Sequence, residues 1–245
     1  MSDHKIHLVT MPKWGLAMQE GTIVGWHVAE GDRISEGQPL CDIETAKITN
    51  EFDSPFSGIL ARIIKPGDRI MELGGGIGFI SALSARNPNT EAVKVFEANP
   101  QLIGYIRRLH EINGITNATA ENAILLNDPG RRTAEFYLRQ DFWASSLSPK
   151  PFGYSSVISV PVKSFNAELE AFAPTLIICD IEGGELDLFL NANLSGVSRV
   201  YLEIHQGVIG RMGVKRLFDA FSARNFHYDQ HHSKAGVVLF SSVRL

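Results

Sequence analysis

Arg69-Ile70-Met71-Glu72-Leu73-Gly74-Gly75-Gly76-Ile77-Gly78-Phe79 runs from a short apolar stretch through an acid into a cluster of glycines. A strand, a glycine-rich turn and a helix in that order is how open α/β folds receive a nucleotide. Glycines let the backbone approach the ligand, and the helix N-terminus faces it. The spacing is Glu-x-Gly-x-Gly-x-Gly, with Glu72, Gly74, Gly76 and Gly78 at the marked positions. It differs from the Gly-x-Gly-x-x-Gly of dinucleotide binders. That difference favours S-adenosylmethionine (SAM), whose methionine part carries an amine and a sulfonium and no phosphate. An ordinary glycine-rich turn of another Rossmann-like protein is the alternative at this point.

Outward from that stretch, strand and helix patterns alternate, which implies a mainly parallel sheet covered by helices. The pattern predicts strands at 69–73, 92–96, 119–125, 176–181 and 199–204 and helices over 77–85 and 100–113, the latter stopped by Gly114. A helix over 214–224 precedes strands at 226–230 and 236–241, read as an antiparallel closing pair. The run Leu176–Ile181 is continuously apolar but for Asp180 and reads as a central strand. Ligands in such sheets bind outside the carboxyl ends of the strands. Glu97 ends the second strand, where a carboxylate can accept hydrogen bonds from two ribose hydroxyls; helix capping before Asn99-Pro100 is its other reading. Glu72 is expected to orient the glycine loop or to meet the SAM amine, and Asn122-Ala123 to line an adenine pocket.

Asp180-Ile181-Glu182-Gly183-Gly184-Glu185 sets three acids in six residues at the end of the central strand. Desolvating them without partners is costly. A cationic group of the substrate, SAM itself or a helix N-terminus at Gly184 would each rationalise them. Glu203 and His205 alternate at the end of the fifth strand, and an imidazole there is a candidate general base, a structurally satisfied histidine being the alternative.

Taken with Phe96-Glu97-Ala98-Asn99-Pro100, Asn113-Gly114, Ser145-Ser146-Leu147 and Val162-Lys163-Ser164-Phe165, these stretches resemble an FkbM-type methyltransferase over residues 69–245. The resemblance implies a class I methyltransferase fold with a Rossmann-like, mainly parallel seven-stranded sheet. It also implies SAM as methyl donor and a hydroxyl acceptor on a sugar or secondary metabolite, small or carrier-bound. Carried over by residue, the cofactor site is Glu72, Gly74, Gly76, Gly78, Glu97 and Asp180, and the catalytic set is Asp180, Glu182 and His205. The family usually has Ala-Asn where this chain has Gly75-Gly76, and many members have a helix and strand before the glycine motif that this chain lacks.

Up to about Pro66 the pattern changes to short strands punctuated by glycine, at 7–10, 21–28, 39–43, 48–53 and 58–64. This stretch holds six basic and nine acidic residues, against 17 and 18 beyond it, so most of the net charge of −4 lies in it. Two domains follow, 1–66 and 67–245. Between two of the strands, Glu44-Thr45-Ala46-Lys47-Ile48 places Lys47 at or beside a hairpin tip, where an acylating enzyme could reach its amine; a plain surface lysine is the alternative. Met11-Pro12-Lys13-Trp14-Gly15, Trp26, Glu30-Gly31-Asp32, Gly37, Glu44, Lys47, Pro55 and Gly58 resemble a lipoyl domain of the acyltransferase subunits of 2-oxo acid or acetoin dehydrogenase complexes. The resemblance implies a small all-β flattened barrel, covalent lipoate on Lys47, and a lipoate ligase or dehydrogenase complex as partner. The family usually has Asp before and Ala after the lysine, where Ala46 and Ile48 stand here. It also continues into a closing strand where this chain enters Arg69–Leu73, so an incomplete barrel is expected.

Composition bounds the rest. With 44% hydrophobic and 20% charged residues the chain is globular, and its acidic balance gives no footprint for nucleic acid or an anionic membrane. No apolar run approaches the ~20 residues of a membrane span, and Met1–Lys5 lacks a signal-peptide core. Cys41 and Cys179 read as small buried residues of a reducing, cytoplasmic compartment. No further spacing marks a metal site, and His231-His232 reads as solvent-facing. The expected activity is SAM-dependent O-methylation. The alternative is a lipoyl carrier whose C-terminal half is non-catalytic, although no acyltransferase core or subunit-binding segment is recognisable.

Overall fold

The computed structural model describes residues 22–28, 32–44, 49–55, 58–59, 64–128, 130–141, 144–150 and 153–243. The strand expected at 7–10 and Lys47 with its neighbours lie outside them. The chain divides into two compact units, Met1–Ile63 and Ile64–Leu245.

The first unit is built of strands β1 (Thr22–Trp26), β2 (Arg33–Ile34), β3 (Pro39–Glu44), β4 (Thr49–Asp53) and β5 (Gly58–Ile59). β3 pairs antiparallel with β1 on one side and β4 on the other, and β2 pairs antiparallel with β5. Ile34, Leu40, Cys41 and Ile43 form its core, with Val28 and Phe52 packed against it. Past a register shift between Pro39 and Cys41, β3 and β4 pair regularly up to Glu44 and Thr49.

The second unit opens with β6 (Asp68–Leu73), α1 (Phe79–Arg86), β7 (Thr90–Glu97), α2 (Pro100–Ile112) and β8 (Ala118–Asn122). After β9 (Ile124–Leu126), β10 (Thr133–Leu138) and β11 (Ser156–Ser164) come α3 (Phe165–Phe172), β12 (Leu176–Cys179), α4 (Glu185–Leu190) and β13 (Arg199–Glu203). It closes with α5 (Gln206–Ser222), β14 (Phe226–Lys234) and β15 (Val237–Ser242). Seven strands form one sheet in the order β14-β15-β13-β12-β6-β7-β8. β8, β7, β6, β12 and β13 are mutually parallel, and β15 runs antiparallel between β13 and β14. This is the Rossmann-like α/β sheet that the alternation implied, with the closing antiparallel pair at its edge. β6 lies at the centre, paired with β7 on one side and β12 on the other.

Apolar residues hold this sheet on both faces, as parallel sheets require. Met71, Ile177, Val200 and Leu202 lie in one continuous core with Phe165, Phe189, Phe221 and Phe240, and the last two rings stack at 4.0 Å. At the amino ends of the strands a buried ion pair joins β6 to β13. Arg199 donates to Asp68 Oδ1 at 2.6 Å and to Oδ2 at 3.1 Å, and the Thr175 hydroxyl donates to Oδ1 at 2.6 Å. The opposite, carboxyl ends are left for a ligand.

Three features depart from the sequence pattern. The strand expected over 119–125 is two strands: β8 belongs to the large sheet, whereas β9 pairs parallel with β11 in a second sheet of order β10-β11-β9. The helix expected from residue 214 begins at Gln206, with a kink at Gly210, whose φ of 68° and ψ of 170° no helix interior allows. The β10–β11 antiparallel pair was not anticipated. Glu168, in α3, fastens this small sheet to the large one, accepting from Lys94 of β7 and Lys163 of β11, both at 2.6 Å. Among the described residues no helix is long and apolar enough to cross a membrane.

Candidate functional site

Beyond the carboxyl ends of β6, β7 and β12 lies a cleft lined by Gly74, Gly76, Glu97, Asp180, Ile181 and Glu182, among others. β9 contributes Ile124–Leu126, β10 contributes Phe136, and the following loop contributes Ser145 and Leu147, so the small sheet supplies one wall.

The glycine loop is fixed by sterics as well as by dihedral angle. Gly74, Gly76 and Gly78 have φ of 85°, 52° and 86°, the left-handed region that favours glycine. A Cβ on Gly74 would stand 1.9 Å from the Asp180 carbonyl oxygen, and one on Gly75 would stand 2.4 Å from Val95 Cγ1. The loop thus passes where no side chain fits, tied to β7 through the Gly74 N–H on the Phe96 carbonyl at 2.9 Å. The alanine usual in the family at position 75 would clash here, so the departure noted in the sequence follows from the packing of Val95.

Glu97 lines the cleft and is almost fully buried. Its Oε2 accepts the Gly76 N–H at 2.8 Å and its Oε1 the Asn99 N–H at 2.7 Å. Burial raises its pKa above the usual carboxylate value, and the backbone donors of Asn99, Gly76 and Ala98 oppose the rise. Asn99 caps α2, accepting from Gln101 N–H at 3.1 Å with Pro100 in the first turn. Glu72 is placed differently. It is buried and does not line the cleft, its pKa is pushed up to about 8 by desolvation, and the nearby Ser81 hydroxyl opposes that shift. Ser81 in turn lies 2.9 Å from His110 Nε2, a buried polar group beneath the loop that the sequence did not suggest. Gly78 likewise is in the loop and off the cleft lining. Ala123 lines the cleft, while the Asn122 side chain donates to the Glu97 and Ala98 carbonyls at 2.8 and 2.9 Å.

A second group of side chains converges where β12 and β13 end. The Asp180 N–H reaches the Leu73 carbonyl at 3.0 Å, extending the strand pairing one residue. Glu182 adopts φ of 55°, a left-handed conformation that costs a non-glycine residue roughly 1 kcal/mol. His205, at the start of α5, receives carboxylates on both ring nitrogens: Glu185 Oε1 is 2.6 Å from Nδ1, Glu182 Oε2 is 3.3 Å and Asp180 Oδ1 3.8 Å from Nε2. The Glu185 hydrogen bond, reinforced by the charges of Glu185, Glu182 and Asp180 against burial, pushes the His205 pKa up to about 9. Asp180 is raised to about 6, by partial burial first and then by Glu203, with His205 opposing. Burial also raises Glu182, its acid neighbours Glu203 and Glu185 add to this, and His205 and Arg139 oppose.

The structure therefore brings Gly74, Gly76, Glu97, Asp180 and Glu182 to one cleft and sets His205 beside it. Lys47, the expected attachment residue, lies outside the described residues. Two acids missed as site residues, Glu185 and Glu203, belong to the same group: Glu185 is fully buried on the first turn of α4, and Glu203 is the last residue of β13. The triple acid run and the Glu203-Ile204-His205 alternation were the signals that held them. Both cysteines are buried free thiols.

A Rossmann-like sheet with a glycine loop and an acid at adjoining strand ends defines the methyltransferase type of α/β fold. Residues 75–228 match the methyltransferase FkbM domain, and the chain belongs to that family. Residues 7–78 match the biotin-requiring enzyme (biotin/lipoyl) domain, so the two matches meet on the glycine loop. The chain is 38% identical over 89 residues to the dihydrolipoyllysine-residue acetyltransferase component of the acetoin cleaving system of Pseudomonas putida, covering 36% of this chain and 24% of that protein. The corresponding protein of Cupriavidus necator is 38% identical over 73 residues, covering 30% of this chain and 20% of the relative. The chain thus spans about a quarter or less of the length of these curated relatives. Among solved structures, the methyltransferase FkbM of Methylobacillus flagellatus superposes with a TM-score of 0.44 at 15% identity, over 71% of this chain and 43% of that one.

Proposed function

We propose that the second unit is a SAM-dependent methyltransferase acting on an oxygen acceptor, a hydroxyl of a sugar or secondary metabolite, in a cytoplasmic setting. The observation that carries this is the junction of Glu97 with the glycine loop: one carboxylate holds the Gly76 N–H and the Asn99 N–H while still facing the cleft. The donor set fits the cofactor. The Glu97 carboxylate, facing the cleft, keeps acceptor capacity for a ribose hydroxyl beyond its backbone donors, the glycine loop lets main chain approach without side chains, and Asp180 offers an anion toward a cationic amine or sulfonium. When bound, SAM supplies a methyl carbon that forms a bond to the acceptor oxygen as the carbon–sulfur bond breaks, its electron pair returning to sulfur and the hydroxyl proton leaving.

The chain's own residues perform the rest. Gly74–Gly78 and Glu97 position the donor and Asp180 fixes its charged end, which makes the encounter effectively unimolecular. Glu182 lines the cleft as an acid of raised pKa, suited to taking the acceptor's proton late in the reaction. His205, held at Nδ1 by Glu185, sets Nε2 beside Glu182 and Asp180. Glu72 supports the loop from beneath.

For the first unit the reading is a lipoyl-type module with lipoate attached at Lys47 by a lipoate ligase. It is supported by the sequence likeness to lipoyl-bearing acyltransferase components, which makes a dehydrogenase complex the corresponding partner. Calorimetric titration of SAM into the full chain tests the methyltransferase reading: micromolar binding, lost in the Glu97→Ala, Asp180→Ala double variant, is expected. An intact chain that does not bind SAM would overturn it and leave the carrier reading, to be followed by the intact mass at Lys47.

A further inference from the structure

Asp180, Glu203 and His205 each direct a donor atom into one small volume, all of these atoms lying within 4.8 Å of one another. Ligands of a single ion with bonds near 2.2 Å stand about 3 Å apart in cis and about 4.4 Å apart in trans, so a side-chain shift of a few tenths of an ångström brings the three into one coordination sphere. The geometry points to a divalent cation site formed by Asp180, Glu203 and His205 Nε2, the ion taking the place of the Nε2 proton, which passes to solvent; the site binds the acceptor oxygen of the reaction proposed above and rests on that reading for its role.

Three observations support the site beyond the gathering of acids. His205 is oriented for it: Glu185 Oε1 holds Nδ1 at 2.6 Å, which directs Nε2 toward Asp180 Oδ1 at 3.8 Å. A carboxylate behind a ligand imidazole is the usual means of fixing its tautomer and ring plane. Next, Glu185 is completely buried, and its Oε2 has no hydrogen-bond partner. A buried carboxylate so placed needs positive charge close by, and a doubly charged ion on the far side of the imidazole provides it. Finally, Asp180 reaches both the cation volume and the cleft, so open coordination positions face the place where an acceptor would lie.

One imidazole and two carboxylates suit Mn²⁺ or a cation of similar hardness. Three protein donors leave about three positions of an octahedral sphere open. Two adjacent acceptor oxygens fill two of them, which narrows the acceptor to an alcohol bearing a second oxygen on the neighbouring carbon. A hydroxyl coordinated there loses its proton more readily than in water, and Glu182, 3.3 Å from His205 Nε2, stands near enough to receive it.

The test uses the full chain freed of metal with a chelator and titrated with MnCl2, followed by electron paramagnetic resonance. One bound Mn²⁺ carrying nitrogen modulation from an imidazole is expected. Glu203→Gln and His205→Gln each remove it, and Glu185→Gln, which acts through His205, weakens it roughly 10- to 100-fold. His27, Asp42 and Glu51 form the other compatible group among the described residues, so His27→Gln is the control and leaves the signal unchanged. Absence of bound Mn²⁺ up to millimolar concentration, binding without nitrogen modulation, or loss of binding in His27→Gln would each overturn the site. SAM titration of the chelated chain separates the two readings. SAM binding without a Mn²⁺ site overturns the ion alone. A Mn²⁺ site with its nitrogen signature supports the ion even if SAM fails to bind, and in that case it is the methyltransferase reading that falls.

Discussion

Glu97 Oε2 accepts the Gly76 N–H at 2.8 Å, so the acid that ends β7 holds the glycine loop that leaves β6. Because Oε1 accepts the Asn99 N–H at the same time, the carboxylate cannot be replaced by an amide without turning an NH2 group toward a backbone donor. Glu97→Gln is expected to lower stability by about 1–3 kcal/mol and SAM affinity by at least tenfold. Chemical denaturation beside calorimetry checks both; unchanged SAM affinity would remove Glu97 from the binding site.

Gly75 faces Val95, and Gly75→Ala forces a Cβ to within 2.4 Å of Val95 Cγ1. Overpacking of this kind costs about 1–3 kcal/mol. Combining it with Val95→Ala, which vacates that space, is expected to cost less than the sum of the two single changes, a coupling that a double-mutant cycle reads directly. Strict additivity would show that the loop shifts away from Val95 at no cost.

Glu72 gives a pH-dependent prediction. Its folded pKa of about 8 stands above the ordinary 4.5, so the protonated form is favoured by folding. The carboxyl imposes no penalty below about 4.5, and the penalty grows as pH rises from there toward 8. Glu72→Gln, isosteric and neutral, is expected to stabilise the chain at pH 8 by about 1–3 kcal/mol and to leave it unaltered near pH 4.5. Denaturation midpoints at the two pH values decide it, and equal effects at both would refute the assignment.

Asp68 has the opposite sign. Burial alone would raise its pKa, but the hydrogen bonds from Arg199, Thr175 and the Lys65 backbone outweigh that, and the net shift is downward. Its contribution is therefore complete above the ordinary value of 3.8 and is lost as pH falls through the lower folded value. Asp68→Asn leaves a buried guanidinium against a neutral amide and should cost about 3–5 kcal/mol at pH 7, with the difference from the parent chain shrinking in strong acid. A constant difference over the acid range would argue against a lowered Asp68.

Much of this architecture is legible in the sequence because the large sheet is made of short apolar runs that end in glycine or acid. β6, β7, β12 and β13 were found that way, and the glycine spacing located the cleft. Other elements lacked such a signature. β10 alternates polar and apolar residues and is joined to β11 by a long connection, so no tight hairpin turn announces the pair. β8 and β9 are consecutive in sequence but pair in different sheets, a choice made by tertiary contacts. The first turns of α5 hold Gly207 and Gly210, residues of low helix propensity, and Gly210 departs from helical geometry. In the site, Glu97 and Asp180 stood at strand ends, whereas Glu185 looked like an ordinary first-turn acid. Its importance arises from His205, 20 residues away, which only the folded chain sets against it.

The central place of β6 has a consequence for biosynthesis. The strand gains its β7 partner soon after it leaves the ribosome, but its other edge waits for β12, where Ile70 meets Leu176. Throughout translation of the intervening hundred or so residues the nascent sheet therefore carries an open parallel edge, the kind of surface that pairs wrongly with another strand. Synthesis of residues 74–176 is thus the interval over which that edge stays open, and it closes only when Leu176–Cys179 arrives.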